Sequence, residues 1–149
     1  MNKINLLPTG YLLIAMVMIL LIHFILPLTR LIPIPWNLVG ILPLGFGIWI
    51  NLAADKTFHR YGTTVKPFEE PNTLITSGIF SISRNPMYLG FVAILIGIAL
   101  LLGTLSPYLI VIAFTILVDR MFIAVEEKNL EHKFSSMWMK YKKDVRRWI

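Results

Sequence analysis

Asn72-Thr73-Leu74-Ile75-Thr76-Ser77-Gly78-Ile79-Phe80-Ser81-Ile82-Ser83-Arg84-Asn85-Pro86-Met87-Tyr88-Leu89-Gly90 separates two hydrophobic halves of the chain, and its reading decides the rest. A turn at Ser77-Gly78 leads through a short non-periodic run to a cation and an amide, and Pro86 then opens a long apolar helix. Proline suits a first helical turn because its missing N–H costs nothing there. It also pushes the residue before it out of the helical region, which places Asn85 at the helix entrance. Amides and hydroxyls at such a position accept from free backbone N–H groups, and a helix N-terminus favours anions. The stretch is expected to form a ligand-binding corner at a membrane surface.

Outward from it the chain is too apolar for an ordinary soluble domain. Of 149 residues 56% are hydrophobic and 15% charged, with a mean hydropathy of +0.72. A helix needs about 20 apolar residues to cross a bilayer, with ~17 at the low end. Residues 11–28, 36–54, 87–102 and 105–125 meet that requirement. The fold class expected is all-α: a polytopic membrane protein of four transmembrane helices plus a C-terminal amphipathic helix, forming one membrane-embedded domain over 1–149. The apolar N-terminal run resembles a signal peptide, but it is long and lacks a small-x-small cleavage site. It is read as a retained anchor.

The net charge of +6 is distributed as membrane topology requires. Lys3 precedes span one; Lys56, Arg60, Lys66 and Arg84 lie between spans two and three; the other basic residues, apart from Arg30, follow from Arg120 onward. The positive-inside rule puts both termini and the 55–85 loop in the cytoplasm, so the basic character implies orientation and not nucleic-acid binding. The absence of cysteine excludes disulfides and thiolate chemistry. His23, His59 and His132 lack metal-ligand spacing, and no metal is expected.

Several residues carry a bland and a functional reading together. His23 inside span one is either a functional ionisable group or, more simply, an imidazole bonded to a neighbouring helix. Gly45-Phe46-Gly47 in span two either admits a cofactor to the backbone or, the favoured reading, marks helix–helix contact. Glu69-Glu70 suggests acid/base work but sits between two prolines in a stiff, solvated approach. Gly103-Thr104-Leu105-Ser106-Pro107 makes spans three and four an antiparallel hairpin, which returns Asp119, Arg120, Glu126 and Glu127 to the membrane face of Arg84 and Tyr88. Residues seven apart share a helix side, pairing Asp119 with Glu126 and Arg120 with Glu127. In the tail Leu130, Phe134, Met137, Tyr141, Val145 and Trp148 form an apolar stripe flanked by lysines and arginines. Such a helix either anchors the chain to an anionic membrane or covers the site as a lid.

Asn72 to Phe80, Arg84-Asn85-Pro86-Met87-Tyr88-Leu89-Gly90, Glu126-Glu127 with Leu130, and Tyr141 with Val145 together resemble the isoprenylcysteine carboxyl methyltransferase family, to whose broader group phospholipid N-methyltransferases belong. The resemblance covers roughly the last 95 residues; spans one and two match only as generic membrane helices. It implies a membrane methyltransferase that uses S-adenosylmethionine at the cytoplasmic face on a lipophilic acceptor: an isoprenylcysteine-type carboxylate or thiol, or a phospholipid amine. It carries cofactor contacts onto Asn72, Thr73, Leu74, Ile75, Phe80, Asn85, Pro86, Met87, Tyr88 and Glu126. Arg84 and Glu127 are the candidate catalytic residues, with His59 a further candidate base, and Arg120 and Phe122 are the candidate substrate contacts. Asn85 stands where many members have histidine, Phe80 replaces a tyrosine, and Phe122 occupies the position of an arginine in members acting on isoprenylcysteine. The membrane is the plasma membrane in a prokaryote and the endoplasmic reticulum in a eukaryote. Two other functions are open: an NADPH-dependent sterol-reductase-like enzyme, and a membrane adaptor whose basic tail binds lipid.

Overall fold

A computed structural model of the chain describes residues 7–62 and 72–149. The Glu69-Glu70 pair and its bracketing prolines lie outside the described residues. Among those described, the regular structure is helical, apart from one isolated bridge between Arg30 and Thr104. Helix α1 spans Pro8–Ile25; a 3-10 turn, Trp36–Gly40, leads into α2, Ile41–Tyr61; α3 spans Pro86–Leu102 and α4 Ser106–Val118. A π-helical turn, Asp119–Ile123, joins α4 to α5, Ala124–Asp144. Among the described residues three helices are long and apolar enough to cross a membrane: Pro8–Ile25, Trp36–Tyr61 and Ser106–Asp144. The apolar α3 has 17 residues, about 25 Å at 1.5 Å per residue.

The centre of the bundle is α3. It buries Tyr88, Phe91, Leu95 and Ala99 in one cluster with Leu12, Ala15 and Ile19 of α1 and Val111, Phe114 and Val118 of α4. Its other side meets α2 through glycines. A Cβ on Gly47 would stand 2.5 Å from the Gly90 carbonyl oxygen, and one on Gly40 2.5 Å from that of Gly97. Small residues are what allow helix backbones to approach this closely. Gly47 is thus a packing residue, whereas Gly45 has open space around its Cβ position.

The end of the bundle away from the 72–90 stretch is tied by the chain between α1 and α2. Leu31 N–H donates to Gly103 O (2.8 Å) and Leu105 N–H to Thr29 O (3.1 Å). Gly103, at φ 72°, ends α3 in the left-handed conformation that glycine adopts without penalty. His23 Nδ1 hydrogen-bonds Thr104 Oγ1 at 2.8 Å, so this imidazole is bonded within that tie.

Three expectations change. Helix α1 begins at Pro8 and ends at Ile25, three residues earlier than the apolar run suggested at each end. Helix α2 continues to Tyr61, so Asp55, Lys56, His59 and Arg60 are helical and not part of a loop. The tail does not begin where span four ends: α5 grows out of α4, and the helix breaks only at Ser135, whose φ of 39° and ψ of −106° are non-helical, with a second helical arm after it. The bend shifts the buried face by one residue. Trp138 becomes 1% exposed while Met137 is 60% exposed. Beyond the bend α5 packs Trp138, Tyr141 and Val145 against Leu74, Leu130 and Phe134.

Candidate active site

The start of α3, the 73–85 segment and the two arms of α5 enclose a cavity of about 220 Å³. Thr73, Leu74, Ile75, Phe80, Arg84, Asn85, Pro86, Met87, Tyr88 and Glu126 line it, so every proposed cofactor contact except Asn72 stands in its wall, and Arg84 joins them. Asn72 is exposed. The sequence reading missed Thr9, Phe58, Phe91, Asn129 and Trp138, which also line the cavity, as do Leu7, Pro8, Leu130 and Tyr141. The first three come from helix ends that no motif marks. Trp138 escapes because the bend at Ser135 breaks the tail's periodicity.

The 73–85 segment is held by local contacts. Ser81 Oγ donates to Gly78 O at 2.6 Å; Gly78, at φ 66°, needs a left-handed backbone at the turn. Phe80 is buried edge-on against Phe58 of α2, with centroids 5.3 Å apart. Its carbonyl accepts from the Tyr141 hydroxyl at 2.6 Å, so α5 fastens the segment from the other side. Asn85 leaves the helical region before Pro86 as expected, with φ −129° and ψ 56°, but its side chain does not cap α3. Instead Asn85 Nδ2 donates to Arg147 O at 3.1 Å, and its own N–H is taken by Ser83 Oγ at 3.1 Å.

The charged groups are ordered around this segment. Tyr88 O–H donates to Glu126 Oε1 at 2.6 Å, and the Tyr88 ring stacks on Phe122, with centroids 6.2 Å apart. Arg84 Nη2 pairs with Glu127 Oε1 at 3.2 Å; both side chains are less than a tenth exposed. Arg84 Nε and Nη1 are buried and have no hydrogen-bond partner among the described residues. The guanidinium carbon of Arg84 lies 5.5 Å from the centroid of the Trp138 ring, a cation–π distance. Arg147 Nη2 donates to Glu127 Oε2 at 2.6 Å, and that bond pushes the Arg147 pKa above its ordinary value.

Four candidates sit differently from their assignments. Glu127 is outside the cavity wall, its carboxylate held between two guanidiniums. His59 faces Asp55 at 3.5 Å on the exposed side of α2 and does not line the cavity. Arg120 is 82% exposed beside Asp119 and is also outside the wall. Phe122 is buried behind Tyr88 and edge-on to Tyr11. The cause is the π turn, which advances about 4.4 residues per turn in place of 3.6. It swings Arg120 outward and brings Asp119 onto the side of Glu127, where both bind Arg147.

Among the described residues the wall holds the Glu126 carboxyl, the Arg84 guanidinium, the Trp138 indole and further aromatic side chains. That donor and acceptor set fits a zwitterionic amino acid joined to a flat heterocycle, as in S-adenosylmethionine. Among the described residues no cluster of His, Asp and Glu suits a metal ion.

Comparison with known proteins places the chain in a family. A curated uncharacterised protein of Haemophilus influenzae is 41% identical over 63 residues, covering 42% of this chain and 100% of that one. Protein-S-isoprenylcysteine O-methyltransferase of Saccharomyces cerevisiae is 40% identical over 100 residues, which is 64% of this chain and 40% of the yeast enzyme. No solved structure gives a significant match. The family profile described as phospholipid methyltransferase matches residues 36–137, a region that includes α2, α3, α4 and the cavity segment between them. With more than half of its length inside that match, the chain belongs to the phospholipid methyltransferase family.

Proposed function

We propose that the chain is an S-adenosylmethionine-dependent methyltransferase that acts at the membrane surface on a lipophilic acceptor. The observation that carries this reading is the incompletely partnered Arg84 guanidinium in the same cavity wall as the Tyr88–Glu126 pair. A buried donor left without an acceptor costs about 1–3 kcal/mol, more on a charged group. A ligand carboxylate arriving at Arg84 offsets part of that cost. Glu126, oriented by the Tyr88 hydroxyl, suits the ligand's ammonium, and Phe80, Phe58 and Tyr141 offer faces for the adenine.

When bound, S-adenosylmethionine supplies an electrophilic methyl group on a sulfonium. The residues of this chain contribute alignment, which is most of what an in-line displacement needs. Arg84 and Glu126 fix the amino-acid end, Asn85 and Pro86 set the start of α3 beneath it, and the apolar wall of Ile75, Met87 and Phe91 excludes water. Leu7 and Pro8 at the start of α1 extend that wall with apolar surface, giving an acyl or prenyl chain a route in from the bilayer. Arg120 faces away from the cavity, so this reading gives it no part in binding the acceptor. Glu127 is assigned to holding Arg84 and not to proton transfer. A nicotinamide reductase is less well supported, because among the described residues Arg84 is the single cationic side chain in the wall. We further propose four spans with the cavity and both termini on the cytoplasmic side, following the basic residues at that end.

Titration of S-adenosylhomocysteine into the detergent-purified protein tests the reading. Micromolar binding is expected, weakened about tenfold, or 1.4 kcal/mol, by Glu126→Ala or Asn85→Ala. The absence of heat and of thermal stabilisation at millimolar ligand would rule it out.

A further inference from the structure

The strongest unassigned feature is the segment Val145–Trp148, which runs back under the start of α3. Its backbone accepts three hydrogen bonds from the three residues before Pro86: Arg84 N–H to Arg146 O at 3.0 Å, Ser83 Oγ to Arg147 O at 3.3 Å, and Asn85 Nδ2 to Arg147 O at 3.1 Å. Its side chains reach the other way. Arg147 Nη1 stands 3.3 Å from both oxygens of Asp119, Arg147 Nη2 2.6 Å from Glu127 Oε2, and Trp148 Nε1 3.3 Å from Asp119 Oδ1. Glu127 passes this on, pairing its second oxygen with Arg84 Nη2 at 3.2 Å.

Arg84 therefore has one side of its guanidinium fixed by Glu127 and one face on Trp138, and its remaining N–H groups, Nε and Nη1, stay free in a buried setting. A lone Glu127 carboxylate would rotate toward bidentate engagement of Arg84, since that geometry satisfies two N–H groups at once. Arg147 prevents it by holding the opposite oxygen, and Asp119 in turn holds Arg147. We propose that Arg147 is a positioning residue: through Glu127 it holds the Arg84 guanidinium in place in the cavity wall, where its charge meets the carboxylate of the ligand. The inference rests on the methyltransferase reading and deepens it, because it assigns one part of the ligand to one side chain.

Two ligands separate this role from general support of the fold. S-Adenosylhomocysteine carries the amino-acid carboxylate; 5′-methylthioadenosine has the same nucleoside and thioether without it. Titrated into the full chain, Arg147→Ala is expected to weaken S-adenosylhomocysteine about tenfold and leave methylthioadenosine within twofold. Arg147→Lys, which can still meet Glu127, restores part of the difference. In an Arg84→Ala background, Arg147→Ala is expected to add nothing, since a residue that acts through another is silent once that one is gone. Glu127→Gln keeps the shape of the network without its charge and is expected to show the same selectivity, which covers the case in which Arg147→Ala fails to fold. Equal losses for both ligands, or additive losses in the double variant, overturn the positioning role. Unchanged binding in Arg147→Ala and Glu127→Gln, with S-adenosylhomocysteine still bound by the wild type, overturns it alone; failure of the wild type to bind S-adenosylhomocysteine overturns the methyltransferase reading as well.

Discussion

At the scale of single residues, the Tyr88–Glu126 contact is the most exacting feature of the site. A hydroxyl 2.6 Å from a carboxylate oxygen is a charge-assisted bond of the strong kind, and here it sets where the negative charge of Glu126 sits. Tyr88→Phe keeps the ring on Phe122 and removes only the donor, so the fold should hold while Glu126 gains freedom. The expected loss in S-adenosylhomocysteine affinity is about tenfold, or ~1.4 kcal/mol, close to the lower end of the ~1.5–3 kcal/mol typical of hydrogen bonds to charged groups. Calorimetry reads it directly; unchanged affinity would mean that Glu126 does not meet the ligand. The pairing was legible in the sequence to the extent that a helical hairpin must bring Tyr88 and Glu126 to one end. The partners of Glu127 were not. Straight-helix spacing gave it Arg120, whereas the π turn after Val118 gives it Arg147, and nothing in Asp119-Arg120-Met121-Phe122-Ile123 announces a wider turn.

At the scale of elements, α2 and α3 are joined by backbone approach and α5 by side chains, and the two respond differently to substitution. Gly47→Ala places a methyl 2.5 Å from the Gly90 carbonyl oxygen, which is backbone and cannot step aside. Separating the helices should cost about 1–3 kcal/mol, as overpacking does elsewhere. Gly45→Ala, two residues away in open space, is the control and should be neutral or gain up to about 1 kcal/mol from helix propensity. Thermal unfolding in detergent distinguishes them; equal midpoints would deny the glycine contact. In α5, Ser135 at φ 39° sits where a side chain is strained and glycine is not. Ser135→Gly should therefore raise the unfolding midpoint slightly, by roughly the 1 kcal/mol such backbone strain stores, with Trp138 still buried by its fluorescence. A fall in the midpoint would show that the bend is set by something other than this residue. The helices themselves were legible because hydrophobic runs of bilayer length leave few alternatives. The bend was not, because Phe134-Ser135-Ser136-Met137 reads as an unbroken helical stripe until Trp138 has to be placed.

At the scale of the whole molecule, two ends of one bundle do different work. One end is closed by the ties among Thr29, Leu31, Gly103 and Leu105, with His23 and Thr104 bonded beside them. The other gathers the cavity, α5 and most of the basic residues. If charge sets orientation, the closed end faces outward and the cavity faces the cytoplasm, where S-adenosylmethionine is available. The lack of cysteine makes this directly measurable, since single cysteines introduced at exposed sites are the chain's only thiols. Ile34→Cys, at a side chain 70% exposed near the closed end, should react with a membrane-impermeant maleimide in intact cells or sealed right-side-out vesicles. Lys140→Cys, on the exposed side of α5, should react only after the membrane is opened. The reverse pattern would place the cavity on the opposite face and exclude cytoplasmic S-adenosylmethionine as its ligand. Labelling of both sites before permeabilisation would exclude the four-span arrangement, since three crossings between residues 34 and 140 put them on opposite faces.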